Sequence, residues 1–127
     1  MITATGKTAL DLRDTGWKGY HPAPRRADPT ISDRRRRALL VAREAGCLLH
    51  DKFGATKVSA FGSIVDPKLF TRRSDIDLAV WGVSADLFYR AVAAVAGLSA
   101  EFEIDVIDAK TAPVHLRKAI EAESVPV

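Results

Sequence analysis

The chain has 127 residues, 47% of them apolar and 28% charged, with a formal net charge of +3; it suits one globular domain with its own core and leaves too little chain for a second. Its single cysteine, Cys47, excludes an internal disulfide framework and a cysteine-rich zinc site. No apolar run approaches the roughly 18 residues of a membrane span, and the opening MITATGKTALDLRDTG lacks the layout of a secretory signal, so a cytoplasmic protein is expected.

The charge is unevenly placed. Residues 1–37 carry nine Lys and Arg against four Asp, whereas the remainder carries ten basic residues against twelve acidic ones. Such a basic segment suits nucleic acid, an acidic partner or solubility alone. A short helix is predicted near Thr8–Asp14. The following TGWKGYHPAPRRADPT, with Gly16, Gly19, Pro22, Pro24 and Pro29, reads as an extended arm pinned by Trp17 and Tyr20. Gly6-Lys7-Thr8 matches the end of a phosphate-binding P-loop but lacks the earlier glycine and the preceding strand, so it is read as chance. Residues 1–31 are therefore expected to be an N-terminal extension and residues 32–127 the domain.

A helix is predicted from Ser32, as its cap, to about Phe53, with Leu40, Val41, Ala45, Cys47, Leu48 and Leu49 as its apolar face and Gly54 ending it. Cys47 is expected in the core. Arg34–Arg37 stand in a row, and at about 100° per residue they spread around the helix, which favours a solvated surface over a binding stripe. Three strands are then predicted in TKVSAFG, DIDLAVWG and FEIDVIDA. Trp81 ends the second and is read as a packing residue. SADLFYRAVAAVAGL between the second and third strands is a helix with Ser84 as cap, and Leu87, Phe88, Ala91, Val92, Val95 and Leu98 cover the sheet. A last helix runs from Pro113 to about Ala122. The order α-β-β-α-β-α describes an α+β domain, a small mixed sheet covered by helices. His21, His50 and His115 show no ligand spacing.

The second strand opens on two acids. Residues two apart on a strand share a face, so Asp75 and Asp77 project together while Ile76 and Leu78 enter the core. The third strand repeats the pattern: Phe102, Ile104 and Val106 on one face, Glu103 and Asp105 on the other. Three or four carboxylates are expected to converge. At an effective dielectric near 20, two carboxylates about 6 Å apart repel by roughly 3 kcal/mol, so the cluster calls for a cation. Hard oxygen donors select Mg²⁺ or Mn²⁺. At the end of the first strand, Gly62 permits a sharp turn, and Ser63 offers a hydroxyl and an N–H at the start of a short helix predicted from Ile64, an arrangement that suits a phosphate.

Gly62-Ser63, an eleven-residue spacer, Asp75-Ile76-Asp77 and the later Asp105 resemble the active-site pattern of the DNA polymerase β-like nucleotidyltransferase superfamily, and the chain is similar to its minimal nucleotidyltransferases over about Ser32–Glu123. The resemblance implies a polymerase β-like palm with Gly62 and Ser63 against the nucleotide phosphates. It makes Asp75, Asp77 and Asp105 the catalytic carboxylates and ligands of Mg²⁺ or Mn²⁺, and ATP the nucleotide. It also implies that the chain is the antitoxin of a HEPN-type ribonuclease toxin and places AMP on it, the acceptor pocket being shared with that partner; neither membrane nor nucleic acid is an expected ligand. The alternative is a module that neutralises its partner by docking alone. One departure stands out: the Gly-Ser-Arg-x-x-Gly form of the pattern is here GSIVDP, with Lys68, Arg72 and Arg73 as the next cations.

Overall fold

The computed structural model describes residues 29–127. The predicted helix near Thr8–Asp14, the arm with Trp17 and Tyr20, the Gly6–Thr8 tripeptide and His21 lie outside them. Helix α1 spans Pro29–Phe53, strand β1 Lys57–Phe61, a 3₁₀ turn Gly62–Val65, β2 Ile76–Trp81, α2 Ala85–Ala96, β3 Ile104–Asp108, α3 Val114–Glu123 and β4 Val125–Pro126. The sheet order is β3-β2-β1-β4. β1 runs antiparallel to β2 and β4, and β2 runs parallel to β3 through the α2 crossover. The expected α+β class, a mixed sheet covered by helices, is the one observed.

Helices lie on both faces, and the strands alternate accordingly. Val58, Ala60, Ile76, Leu78, Val80, Ile104 and Val106 meet the buried stripe of α1 and the inner side of α2. Phe61, Ala79 and Ala109 meet Ile120 of α3, with Trp81, Ile107 and Leu116 at the edge of that second cluster. A one-residue slip of β2 would expose Ile76, Leu78 and Val80, each stabilising by about 1.5–3 kcal/mol when buried, so the register is fixed and Asp77 is held on the α3 face.

The structure corrects several boundaries. Helix α1 begins at Pro29, so Ser32 lies within it rather than capping it. Its buried stripe is Ala38, Ala42, Ala45, Gly46 and Leu49; these small residues let the helix approach the sheet closely. Leu40 and Cys47, seven residues apart on the outer side, are therefore exposed, Leu40 by 54%, against the expectation that both were core. At the other end Gly54 takes φ +74° and Ala55 N–H donates to the Leu49 carbonyl, ending the helix as predicted. Ser84 occupies the N-cap of α2, but its hydroxyl makes no capping bond. Pro113 is the residue before α3, not part of its first turn. The two-residue β4 was not foreseen: a Val-Pro pair has no strand periodicity, and proline is tolerated there because β4 is an edge.

Candidate functional site

The site lies at one end of the sheet, where β1 leaves and β2 and β3 enter. Gly62 follows β1 with φ +79°, a conformation that favours glycine. Any Cβ there would stand 2.6 Å from Asp77 Oδ2, so a larger residue would displace this carboxylate as well as strain the backbone. The Gly62 turn and the Asp77 carboxylate are thus in direct contact. The helix expected from Ile64 begins instead at Gly62 and is a single 3₁₀ turn that includes Ser63.

Asp77 is the second residue of β2 and pairs in register with Asp105, the second residue of β3. Neighbouring strands lie about 4.8 Å apart, and both side chains alternate with residues of the α3-side cluster, so the two carboxylates face the same way. Asp75 stands one residue outside the strand, on the same alternation. Asp75 and Asp77 are half-buried, and Asp105 and Glu103 are exposed. Burial, then the charge of Asp105, then that of Asp75, raises the Asp77 carboxyl above its ordinary value of 3.8.

Among the described residues no ion pair compensates these acids. The salt bridges there join α1 arginines to Asp33 and Glu101. No three acidic, imidazole or thiol groups among the described residues gather closely enough to hold a metal by themselves. The expectation of three or four convergent acids thus narrows to an adjacent pair, Asp77 and Asp105, with Asp75 near enough to be felt electrostatically. That donor set fits Mg²⁺, which takes one or two carboxylates and completes its shell with water and substrate phosphates rather than with a protein cage.

The departure at Asp66-Pro67 has a local cause. Asp66 Oδ1 accepts from Lys68 N–H at 2.9 Å, and the Asp66 carbonyl accepts from Leu69 and Phe70, forming a turn that inserts Phe70 into the core. Asp66 is therefore engaged in its own turn. Lys68, Arg72 and Arg73 are exposed on the loop that follows it. Trp81 packs at the far end of β2, with Lys57 Nζ 4.6 Å from its ring centroid, in line with the packing role read for it.

The arginine row behaves unlike the solvated surface expected of it. Arg34 is only 17% exposed in its side chain, and its guanidinium lies 4.4 Å from the Phe102 ring centroid while donating to the Ser74 carbonyl at 3.2 Å. Arg35 Nε–H donates to the Ile64 carbonyl at 2.9 Å. Only Arg36 and Arg37 match the surface reading, paired with Asp33 and, for Arg37, Glu101. The missed signal was the buried stripe itself: stepping back three and four residues from Ala38 lands on Arg35 and Arg34.

No helix among the described residues is long and apolar enough to cross a membrane. No protein-family model matches the chain, and no curated protein matches it in sequence. Solved structures do. A chain of the MntA–HepT toxin–antitoxin crystal structure is similar over 69% of this chain and 69% of its own length, at 18% identity and a TM-score of 0.52. A toxin–antitoxin crystal structure with AMP-PNP is similar over 72% of this chain and 70% of its own, at 17% identity and a TM-score of 0.50. At these identities the likeness is one of architecture: the chain has the nucleotidyltransferase fold.

Proposed function

We propose that the chain is a metal-dependent nucleotidyltransferase that moves AMP from ATP onto a hydroxyl of a partner protein, and that it acts in the cytoplasm as the antitoxin of a HEPN-type toxin. One observation carries this reading above the others: the half-buried Asp77 is packed against the Gly62 turn and beside Asp105, with no compensating cation among the described residues. A fold does not keep mutually repelling carboxylates without a stabilising return, and acids in this condition mark functional sites. The toxin–antitoxin structures that share the fold, one of them with AMP-PNP, support the partner and the nucleotide.

Asp77 and the neighbouring Asp105, with Asp75 beside them, are the residues that would hold Mg²⁺ or Mn²⁺. Such an ion, when bound, neutralises the triphosphate and lowers the pKa of the acceptor hydroxyl. Gly62 and Ser63 bind the phosphates through backbone N–H groups and the serine hydroxyl. Asp105, exposed at the edge strand, accepts the acceptor's O–H and orients its oxygen in line with the α-phosphorus. The new O–P bond forms as the bond to the β-phosphate breaks, pyrophosphate leaves, and the hydroxyl proton passes to Asp105 and then to solvent.

Incubating the full chain with labelled ATP, Mg²⁺ and a HEPN-type toxin as candidate partner tests the reading. Label on that protein, lost on chelation, is expected; neutralisation without label would overturn the enzymatic part. Such an outcome would favour docking alone, for which one observation speaks: Ile64, where the related pattern carries a basic residue, is fully buried.

A further inference from the structure

The parts of the site are unequally secured. Asp77 and Asp105 sit within β2 and β3 and are fixed by the ladder, including Ile76 N–H to the Glu103 carbonyl at 2.9 Å. The Gly62–Val65 turn and Asp75 lie outside any strand. It is these two segments that α1 reaches. Arg35 holds the carbonyl of Ile64, the residue after Ser63, and Arg34 holds the carbonyl of Ser74, the residue before Asp75.

Arg34 does more than donate one bond. Its guanidinium is stacked against Phe102 and lies 5.9 Å from the Phe70 ring centroid, and Nη1 is 3.6 Å from Glu101 Oε2. Phe70 belongs to the loop before Asp75, and Glu101-Phe102 leads into β3 and Asp105. Burying a guanidinium here stabilises no better than an apolar side chain of similar volume would, since its desolvation offsets much of the pairing; its Nε is buried without a partner. What a planar fork adds over an apolar residue is direction, because its donors point where the stacked plane aims them.

We propose that Arg34 and Arg35 are positioning residues for nucleotidyl transfer: adjacent side chains on one turn of α1 that set Asp75 and the Gly62-Ser63 turn in place relative to Asp77 and Asp105. The proposal rests on the functional reading above. Arg35 acts on the phosphate-binding turn and Arg34 on the carboxylate entry, so their loss has different signatures.

Full-length Arg34→Met, Arg35→Met and Arg35→Lys separate these effects from stability. Three quantities are measured for each: melting temperature, Mn²⁺ affinity by electron paramagnetic resonance, and label transfer to the partner with KM for ATP. Misplacing a reacting group by about 1 Å costs up to about a hundredfold, so Arg34→Met is expected to weaken Mn²⁺ binding by at least about tenfold, and Arg35→Met to raise KM for ATP by a similar factor with Mn²⁺ affinity unchanged. Arg35→Lys, whose ammonium still reaches the Ile64 carbonyl, restores KM. Variants that melt earlier but keep wild-type Mn²⁺ affinity and KM overturn the proposal and leave the arginines a purely stabilising role. Should Arg34→Met not fold, the Arg35→Met and Arg35→Lys pair decides. If the wild-type chain transfers no label, the enzymatic reading falls; the positioning role is then judged on Mn²⁺ affinity and on binding of a non-hydrolysable ATP analogue, and a wild-type chain that binds neither overturns both.

Discussion

Asp33 lies in the first turns of α1 and Glu101 beside them, and both are met by arginines: Arg36 and Arg37 pair with Asp33, and Arg37 Nη2 donates to Glu101 Oε2 at 2.6 Å. Asp75, Asp77 and Asp105 lie near the same end of the sheet and, among the described residues, are met by none. The consequence appears in their acidity. The hydrogen bond from Arg36 lowers the Asp33 carboxyl below its ordinary range, and that from Arg37 lowers Glu101. Burial and its two acidic neighbours raise Asp77. Of the four successive arginines of α1, Arg35 donates to the Ile64 carbonyl and Arg34 to the Ser74 carbonyl as well as pairing with Glu101, and none is paired with Asp75, Asp77 or Asp105. Acids that the fold neutralises belong to its framework; under the function proposed above, the uncompensated ones beside the Gly62 turn are the ligand-binding ones.

The comparison breaks most visibly at Asp77. Asp77→Asn is expected to reduce nucleotide transfer by about a thousandfold or more, near 4 kcal/mol of transition-state stabilisation, because it removes an ion ligand. A single-turnover label assay reads it, and a rate within tenfold of wild type would take Asp77 out of the site. Asp105→Asn should slow the same step by about a hundredfold while nucleotide binding and partner association persist.

Two glycines sharpen the contrast at the backbone level. Gly62 and Gly54 both take positive φ, but a Cβ at Gly54 meets nothing within 4 Å, whereas one at Gly62 meets Asp77. Gly54→Ala is expected to cost about 1–2 kcal/mol of stability, from the left-handed backbone alone, and to leave transfer intact. Gly62→Ala should bring that cost together with loss of transfer. Denaturant unfolding paired with the label assay distinguishes the two.

The acid groups should also leave opposite marks on stability against pH. Asp77 titrates above 3.8 in the native state, so the native state holds this proton more tightly than the unfolded chain does. Its contribution is full at low pH and is lost as pH rises through the raised value. Metal-free Asp77→Asn should therefore out-melt the wild type by a margin that opens upward from about pH 4 and then levels, and saturating Mg²⁺ should narrow it by stabilising the wild type alone. Asp33 and Glu101 behave in reverse: their contributions are present above the ordinary carboxylate range and fade as pH falls through the lowered values. Being exposed, they are screened. Asp33→Asn is expected to give the smallest effect of the set, an unchanged transfer rate and a shift in melting temperature that disappears at high salt.

The sequence alone determined those features that depend on local period and local backbone. The two-residue alternation of IDLAV put Ile76 and Leu78 in the core and Asp77 opposite them, Gly62 marked the turn, and Gly54 the helix end; each follows from sterics within a few residues. Tertiary structure decided the rest. The parallel register that sets Asp77 beside Asp105 joins strands 28 residues apart through a helix, and no local pattern encodes it. The rotation of α1 about its own axis depends on which stripe fits the sheet. The alanine stripe, which permits the closest approach, won over the one with Leu40 and Cys47, and that choice carried Arg34 and Arg35 inward. Strand β4 exists because β1 offers an open edge to a passing Val-Pro pair. Which residues can form a site is written locally, but which of them meet depends on packing between segments far apart in the chain.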